Sequence, residues 1–157
     1  MISCRFFVWI FALLLAIPAW AQEVAIPEGT KLIIVRHADR SGEDLNALGI
    51  ARSKALVAAL EGIEIDHIFS PSIQRNLDTA QPLAKARGLP IERIAAGRPA
   101  PALMSQGGGK TIIWIGNKGN LKSIWKDLAA PGVAPLEYGD LFIVTEGPTV
   151  ERRRFEP

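Results

Sequence analysis

Lys31-Leu32-Ile33-Ile34-Val35-Arg36-His37-Ala38-Asp39-Arg40 is the stretch that decides the fold of this 157-residue chain. Leu32 to Val35 are apolar without a break and mostly β-branched, which suits a strand covered on both faces. Charge starts abruptly at Arg36, where that strand should end. Similar runs recur at 65–69, 111–115 and 141–145. The segments between them carry helical spacing. From Asn46 to Leu60, the residues Leu48, Ala55 and Ala59 share one predicted face, and Gly62 offers a stop. From Ser72 to Arg87, the face is Ile73, Leu77, Ala80 and Ala84, with Gly88 just beyond. Pro82 lacks a donor for the preceding turn, so a kink or split is expected there. From Leu121 to Ala129, the set Leu121, Ile124, Trp125 and Leu128 fits i, i+3, i+4, i+7.

Strand alternating with helix predicts an α/β domain: a mostly parallel sheet between helices, a three-layer α/β/α sandwich. The Gly- and Pro-rich segment 95–109 reads as a loop. At about 100–200 residues per domain the chain holds one. Apolar residues at 48% and charged residues at 22% exclude a disordered tail protein. A net charge of +2, spread along the sequence, offers no basic stripe for a nucleic acid.

Ligands of open parallel sheets bind beyond the carboxyl ends of the strands. There the sequence places Arg36-His37-Ala38-Asp39-Arg40 after the first strand and Ser70-Pro71-Ser72-Ile73-Gln74-Arg75 after the second. Gly116-Asn117-Lys118-Gly119-Asn120 follows a later strand. Ser70-Pro71 reads as a helix cap with proline at the first helical position, which puts Arg75 near a helix start. Free backbone N–H groups and the helix dipole favour an anion there. Two arginines, a histidine and a lysine thus converge on a site suited to phosphate. His67 reads as a strand-edge residue, and Trp114 and Trp125 as core or interface aromatics. Residues 107–111 (Gly-Gly-Gly-Lys-Thr) resemble the end of a P-loop, but Met104 stands where that motif needs glycine and Thr111 opens a strand. Two histidines far apart lack metal-ligand spacing, so neither metal nor cofactor is expected.

Arg5, the apolar run Phe6–Ile17, Pro18 and Ala19-Trp20-Ala21 form the pattern of a secretory signal peptide. The run is shorter than the ~20 residues that cross a bilayer. The expectation is a leader at 1–21, a single domain at 22–157, and an exported protein, periplasmic or secreted, free of the membrane after cleavage. Cys4 would leave with the leader, so the mature chain would have no thiol for a disulfide, a nucleophile or a metal.

Leu32–Asp39 resembles the signature of the histidine phosphatase superfamily, which includes phosphoglycerate mutases and phosphohistidine phosphatases. Asp44-Leu45-Asn46-Ala47-Leu48-Gly49 is similar to the family's "LTxxG" segment. Ile68–Arg75 with Thr79-Ala80 is similar to its "hxSPxxRxxxTA" stretch, and residues 137–145 resemble the closing strand of small exported members. The likeness runs through residues 31–146. It implies a phosphoglycerate mutase-like fold and a phosphatase that uses no metal and acts on a small phosphorylated substrate, a phosphomonoester or phosphohistidine. His37 would be the nucleophile that carries the phosphoryl group, with Arg36 and Arg75 clamping its oxygens. Ser70, Asn117 and Lys118 join the candidate phosphate contacts.

The chain departs from the family at the second histidine: Asn117, or Lys118 after a one-residue shift, occupies that position. Losing one charge-stabilising donor costs ~10²–10³ in rate. The general acid is also unassigned, with Asp39, Glu43 and Asp44 as candidates. The resemblance thus implies either a phosphatase of weakened activity or a non-catalytic relative that binds a phosphorylated ligand or partner. Oligomeric state leaves no mark on the sequence.

Overall fold

The computed structural model describes residues 23–157; the leader-like stretch 1–21 lies outside the described residues. The elements run β1 (Lys31–Arg36), β2 (Arg40–Ser41), β3 (Asp44–Leu45), α1 (Ala47–Ala59), β4 (His67–Ser70) and α2 (Gln74–Arg87). They continue with β5 (Ile91–Arg93), α3 (Ala100–Gly107), β6 (Thr111–Gly116), α4 (Lys118–Asp127), β7 (Asp140–Thr145) and β8 (Thr149–Arg154). The main sheet has the order β5-β4-β6-β1-β7-β8, and β2 and β3 form a separate small hairpin. β5, β4, β6 and β1 are parallel, and β7 is antiparallel to both of its neighbours.

The unbroken apolar runs have the expected cause. Leu32 and Ile34 of β1, Ile112 and Trp114 of β6, and Phe142 and Val144 of β7 pack on one side, with Leu103 and Met104 of α3 and Leu121, Ile124 and Trp125 of α4. The alternate residues Ile33, Val35, Ile113, Ile115, Leu141 and Ile143 pack on the other, with Leu56 and Leu60 near the end of α1 and Ala80 and Leu83 of α2. Both faces of the sheet are therefore covered, giving the three-layer α/β/α sandwich. Among the described residues no helix is long and apolar enough to cross a membrane.

Several local expectations are corrected. Residues 100–107 are helix, not loop: Ala100, Leu103, Met104 and Gly107 are buried, and this apolar face outweighs the glycines and prolines around it. Pro82 does not split α2, which is continuous from Gln74 to Arg87. α2 starts later than the Ser-Pro pattern suggests. Its N-cap is Ile73, with no side-chain cap bond, while the Ser70 hydroxyl donates to the carbonyls of Pro71 (3.1 Å) and Ile115 (3.4 Å). Ser70 is thus neither a helix cap nor open to a ligand; it is fully buried at the end of β4.

The expected face of α1 also shifts. Leu48 is half exposed, and the buried residues are Gly49, Arg52, Ser53 and Leu56. The cause lies in the loop after β1. A Cβ on Gly49 would stand 1.9 Å from the Asp39 carbonyl oxygen, so only glycine lets α1 come this close. Arg52, one turn on, is drawn inward by an ion pair with Asp39. The basic C-terminal segment forms a solvated edge strand, β8.

Candidate active site

β1 ends at Arg36, which pairs in register with Gly116 at the end of β6, and the His37 N–H donates to the Gly116 carbonyl (2.8 Å). A side chain at position 116 would collide with the Asn120 Oδ1 and the Trp114 indole nitrogen, so glycine is what lets the end of β6 lie this close to the first turn of α4. Thr79 ties the next residue to α2. Its Oγ1 accepts from the Ala38 N–H (2.9 Å) and donates to the Arg75 carbonyl (2.7 Å). Asn76 braces the same helix to β6 by donating to the Ile115 carbonyl (2.9 Å). Two strand ends and the first turn of α2 are thereby locked together, which carries Arg75 to the histidine.

His37 is 2% exposed. Its Nδ1 lies 2.9 Å from the Ala38 carbonyl, and a carbonyl can only accept. The neutral ring therefore carries its proton on Nδ1 and its lone pair on Nε2, outside that bond. Burial is the main reason its pKa falls from 6.5 to about 4, and the positive charges of Arg36, Arg75 and Arg40 add to it. The bond to Ala38 opposes the fall without reversing it. At neutral pH this imidazole is uncharged and can act as a nucleophile.

Arg36 is held from the far end of the chain. Its Nη1 donates to the Leu136 carbonyl and its Nη2 to the Tyr138 hydroxyl, both at 3.1 Å, and its guanidinium lies 3.9 Å from the Tyr138 ring centroid. Arg75 is ion-paired with Glu43 on the β2–β3 hairpin. The Nε of each arginine is buried without a hydrogen-bond partner among the described residues. Two unsatisfied cationic donors beside a neutral imidazole fit an oxyanion with several acceptor oxygens.

The other candidates lie as follows. Asp39 is buried and spends its carboxylate on Arg52 (2.6 Å). Asp44 is exposed on the hairpin, opposite Ser41. Asn117 caps α4: its side-chain oxygen accepts from the Gly119 and Asn120 N–H groups (3.1 and 3.2 Å), and Asn120 returns the bond. Lys118 is exposed, 3.9 Å from Glu137. His67 stands at the other end of the sheet. Among the described residues no three His, Cys, Asp or Glu side chains group closely enough to hold a metal ion.

Two residues at the site were not singled out from sequence. Tyr138 lies over Arg36 and touches the His37 ring edge-on, with centroids 5.9 Å apart. Arg52 holds Asp39, the Phe155 carbonyl (3.1 Å) and Glu156 (3.1 Å) at once. Burial works against its charge, but Asp39 and Glu156 outweigh that and raise its pKa. The one available signal for Arg52 was a charged residue on a helix, spaced for the core face. Tyr138 falls within the 137–145 likeness, but nothing local marks it as a site residue.

An α/β sandwich thus carries a neutral histidine flanked by arginines at the carboxyl ends of its strands, an arrangement able to hold an oxyanion. The model of the histidine phosphatase superfamily (branch 1) matches residues 32–96. Among solved structures, the mycobacterial glucosyl-3-phosphoglycerate phosphatase Rv2419c with VO3 is similar at a TM-score of 0.62 and 14% identity. That match covers 80% of this chain and 98% of the other. The protein histidine phosphatase SixA complexed with tungstate matches at 0.57 and 17%, covering 80% and 96%. Phosphoserine phosphatase from Entamoeba histolytica with 3-phosphoglyceric acid matches at 0.58 and 16%, covering 82% and 97%. No match was found among curated protein sequences. The likeness to the histidine phosphatase superfamily thus rests on the sequence of residues 32–96, and the fold over most of the chain is similar to that of these solved phosphatases.

Proposed function

We propose that this protein hydrolyses a small phosphomonoester or a phosphohistidine through a phosphoryl group carried on His37. One observation carries the reading: among the described residues, both arginines that flank the neutral His37 keep a buried Nε without a hydrogen-bond partner. A phosphoryl group supplies the missing acceptors and attracts both cations. In the first step the Nε2 lone pair attacks phosphorus, and the bond to the leaving atom (oxygen in a phosphomonoester, nitrogen in a phosphohistidine) breaks with its electrons on that atom. Water then attacks the phosphohistidine, and the P–N bond returns its electrons to Nε2. The arginines hold charge that spreads over the non-bridging oxygens, so positioning and electrostatics do most of the work. The neighbours solved with VO3 and with tungstate support an oxyanion as the ligand.

The family resemblance puts a second histidine where Asn117 stands, or Lys118 after a one-residue shift; Asn117 spends its side-chain oxygen on capping α4, and Lys118 is exposed. The reading therefore carries a rate lowered by ~10²–10³. The same observation favours a second reading, a relative that binds a phosphorylated ligand without turning it over. The leader-like residues 1–21 support export of the protein under either reading.

The test is hydrolysis of p-nitrophenyl phosphate with rapid quenching to trap an acid-labile phosphoenzyme. Wild type should form it and turn over, while His37→Ala should do neither yet still bind inorganic phosphate. Asn117→His should raise the rate. A wild type that binds phosphate but never forms a phosphoenzyme, with turnover appearing only in Asn117→His, would establish the binding reading instead.

A further inference from the structure

Departure of an alkoxide or a poorly acidic phenol needs a proton, and of the three carboxylates expected to supply it two are engaged, while Asp44 stands exposed on the β2–β3 hairpin. Asp39 is committed to Arg52 and Glu43 to Arg75, while the Ser70 proton goes to backbone carbonyls. Tyr138 is the chain's single tyrosine. Its oxygen accepts a hydrogen bond from Arg36 Nη2 at 3.1 Å, and its own proton is given to no acceptor among the described residues. Its ring lies over the guanidinium and meets the edge of the His37 ring. The hydroxyl therefore belongs to the same cluster as both the proposed nucleophile and one phosphate clamp.

We propose that Tyr138 is a further catalytic residue, donating its proton to the leaving oxygen and recovering one from the attacking water. This rests on the phosphoryl-transfer reading above. As Nε2 of His37 bonds to phosphorus, the bond to the leaving oxygen breaks and that oxygen takes the Tyr138 proton. The leaving group departs as an alcohol or phenol. The negative charge then resides on the Tyr138 oxygen, where the Arg36 N–H is already in place to hold it. In the second step water attacks the phosphohistidine and loses a proton to the same oxygen. The P–N bond returns its electrons to Nε2, and inorganic phosphate leaves. Proton and charge balance over the cycle, and Tyr138 does in both directions what a loop carboxylate would do.

The test compares two leaving groups. p-Nitrophenolate departs without help, whereas the phenolate of phenyl phosphate departs far more slowly without a proton. Tyr138→Phe keeps the ring over Arg36 and removes only the hydroxyl. Its phosphoenzyme formation from phenyl phosphate should fall by ~10²–10⁴, and that from p-nitrophenyl phosphate by less than about tenfold. An equal loss on both substrates would make Tyr138 a prop for Arg36 and overturn the proposal, and so would no loss on either.

Because the chain has one tyrosine, growth on fluorotyrosine alters position 138 alone and keeps a donor. Phenyl phosphate turnover should survive, with its alkaline limit moved to lower pH. The groups facing Tyr138 are Arg36, which stays charged, and His37, whose pKa lies at about 4, so neither supplies an alkaline limit. An unmoved limit would overturn the proposal even if Tyr138→Phe did not fold. A wild type that forms no phosphoenzyme from either substrate removes the parent reading. A wild type that forms it, with Tyr138→Phe indistinguishable, removes this proposal alone.

Discussion

The chain's two histidines stand at opposite ends of one sheet and meet opposite electrostatics. His37 follows the carboxyl end of β1, is buried, and has three arginines acting on it. His67 opens β4 at the amino end, is partly exposed, and stacks on Phe69 with ring centroids 5.5 Å apart. Glu92 sits 2.5 Å from its Nδ1 and Lys110 lies 3.1 Å from its Nε2. A carboxylate can only accept and an ammonium can only donate, so His67 also carries its proton on Nδ1. The two rings share a tautomer. They differ in what surrounds them: His67 has a partner on each nitrogen, whereas His37 is bonded through Nδ1 and feels the charges of Arg36 and Arg75, whose Nε atoms have no partner among the described residues. Residue type does not make a site here; position on a polar α/β sheet does.

Breaking the support under His37 should have the largest effect. Arg52→Met leaves Asp39 buried without its partner and releases Phe155 and Glu156, at a cost of about 3–5 kcal/mol. Urea unfolding of this variant is best run beside Glu92→Gln, which removes the partly exposed pair at the other end and should cost about 1 kcal/mol or less. Similar midpoint shifts for the two variants would contradict the contrast drawn between the two ends.

Acid titration sharpens the comparison. In the unfolded chain His37 takes up a proton near pH 6.5, but in the fold it resists protonation down to about 4. Between those values the unfolded state binds more protons, so stability falls as pH drops through that window. The loss is on the order of 3 kcal/mol. It should be absent from His37→Gln, read as the difference in unfolding free energy between pH 7 and pH 4. An equal acid loss in both proteins would show that His37 is not held neutral by the fold.

The smallest effect belongs to His67 itself. His67→Gln should change stability by less than about 1 kcal/mol and leave phosphoenzyme formation unchanged. A marked fall in p-nitrophenyl phosphate turnover would connect the two ends and undo the distinction.

The strands were legible because each is apolar on both faces, a pattern that survives without knowing the neighbours. Arg36, His37 and Arg75 were legible as residues that follow strands in a parallel sheet. Other features were decided by contacts that no local window contains. The helix at 100–107 hides behind glycine and proline because its stability comes from Leu103 and Met104 packed on the sheet. Leu48 looked like core, but Gly49 and Arg52 take the inner face because they meet the Asp39 loop. Ser70 looked like a cap and is instead bonded to the backbone. Tyr138 stands far along the chain from Arg36 and reaches it only once β7 has paired with β1.

The sequence by itself determined the layered α/β architecture and which end of the sheet could hold an anion. Hydrophobic periodicity and strand polarity are properties of the chain read in order. Only the tertiary structure decided which side chains are already engaged and which remain free to meet a ligand. Hydrogen-bond partners and desolvation depend on residues brought together from distant positions. The neutral state of His37, the pairing of Asp39 and the unsatisfied Nε atoms of Arg36 and Arg75 all arise in that way.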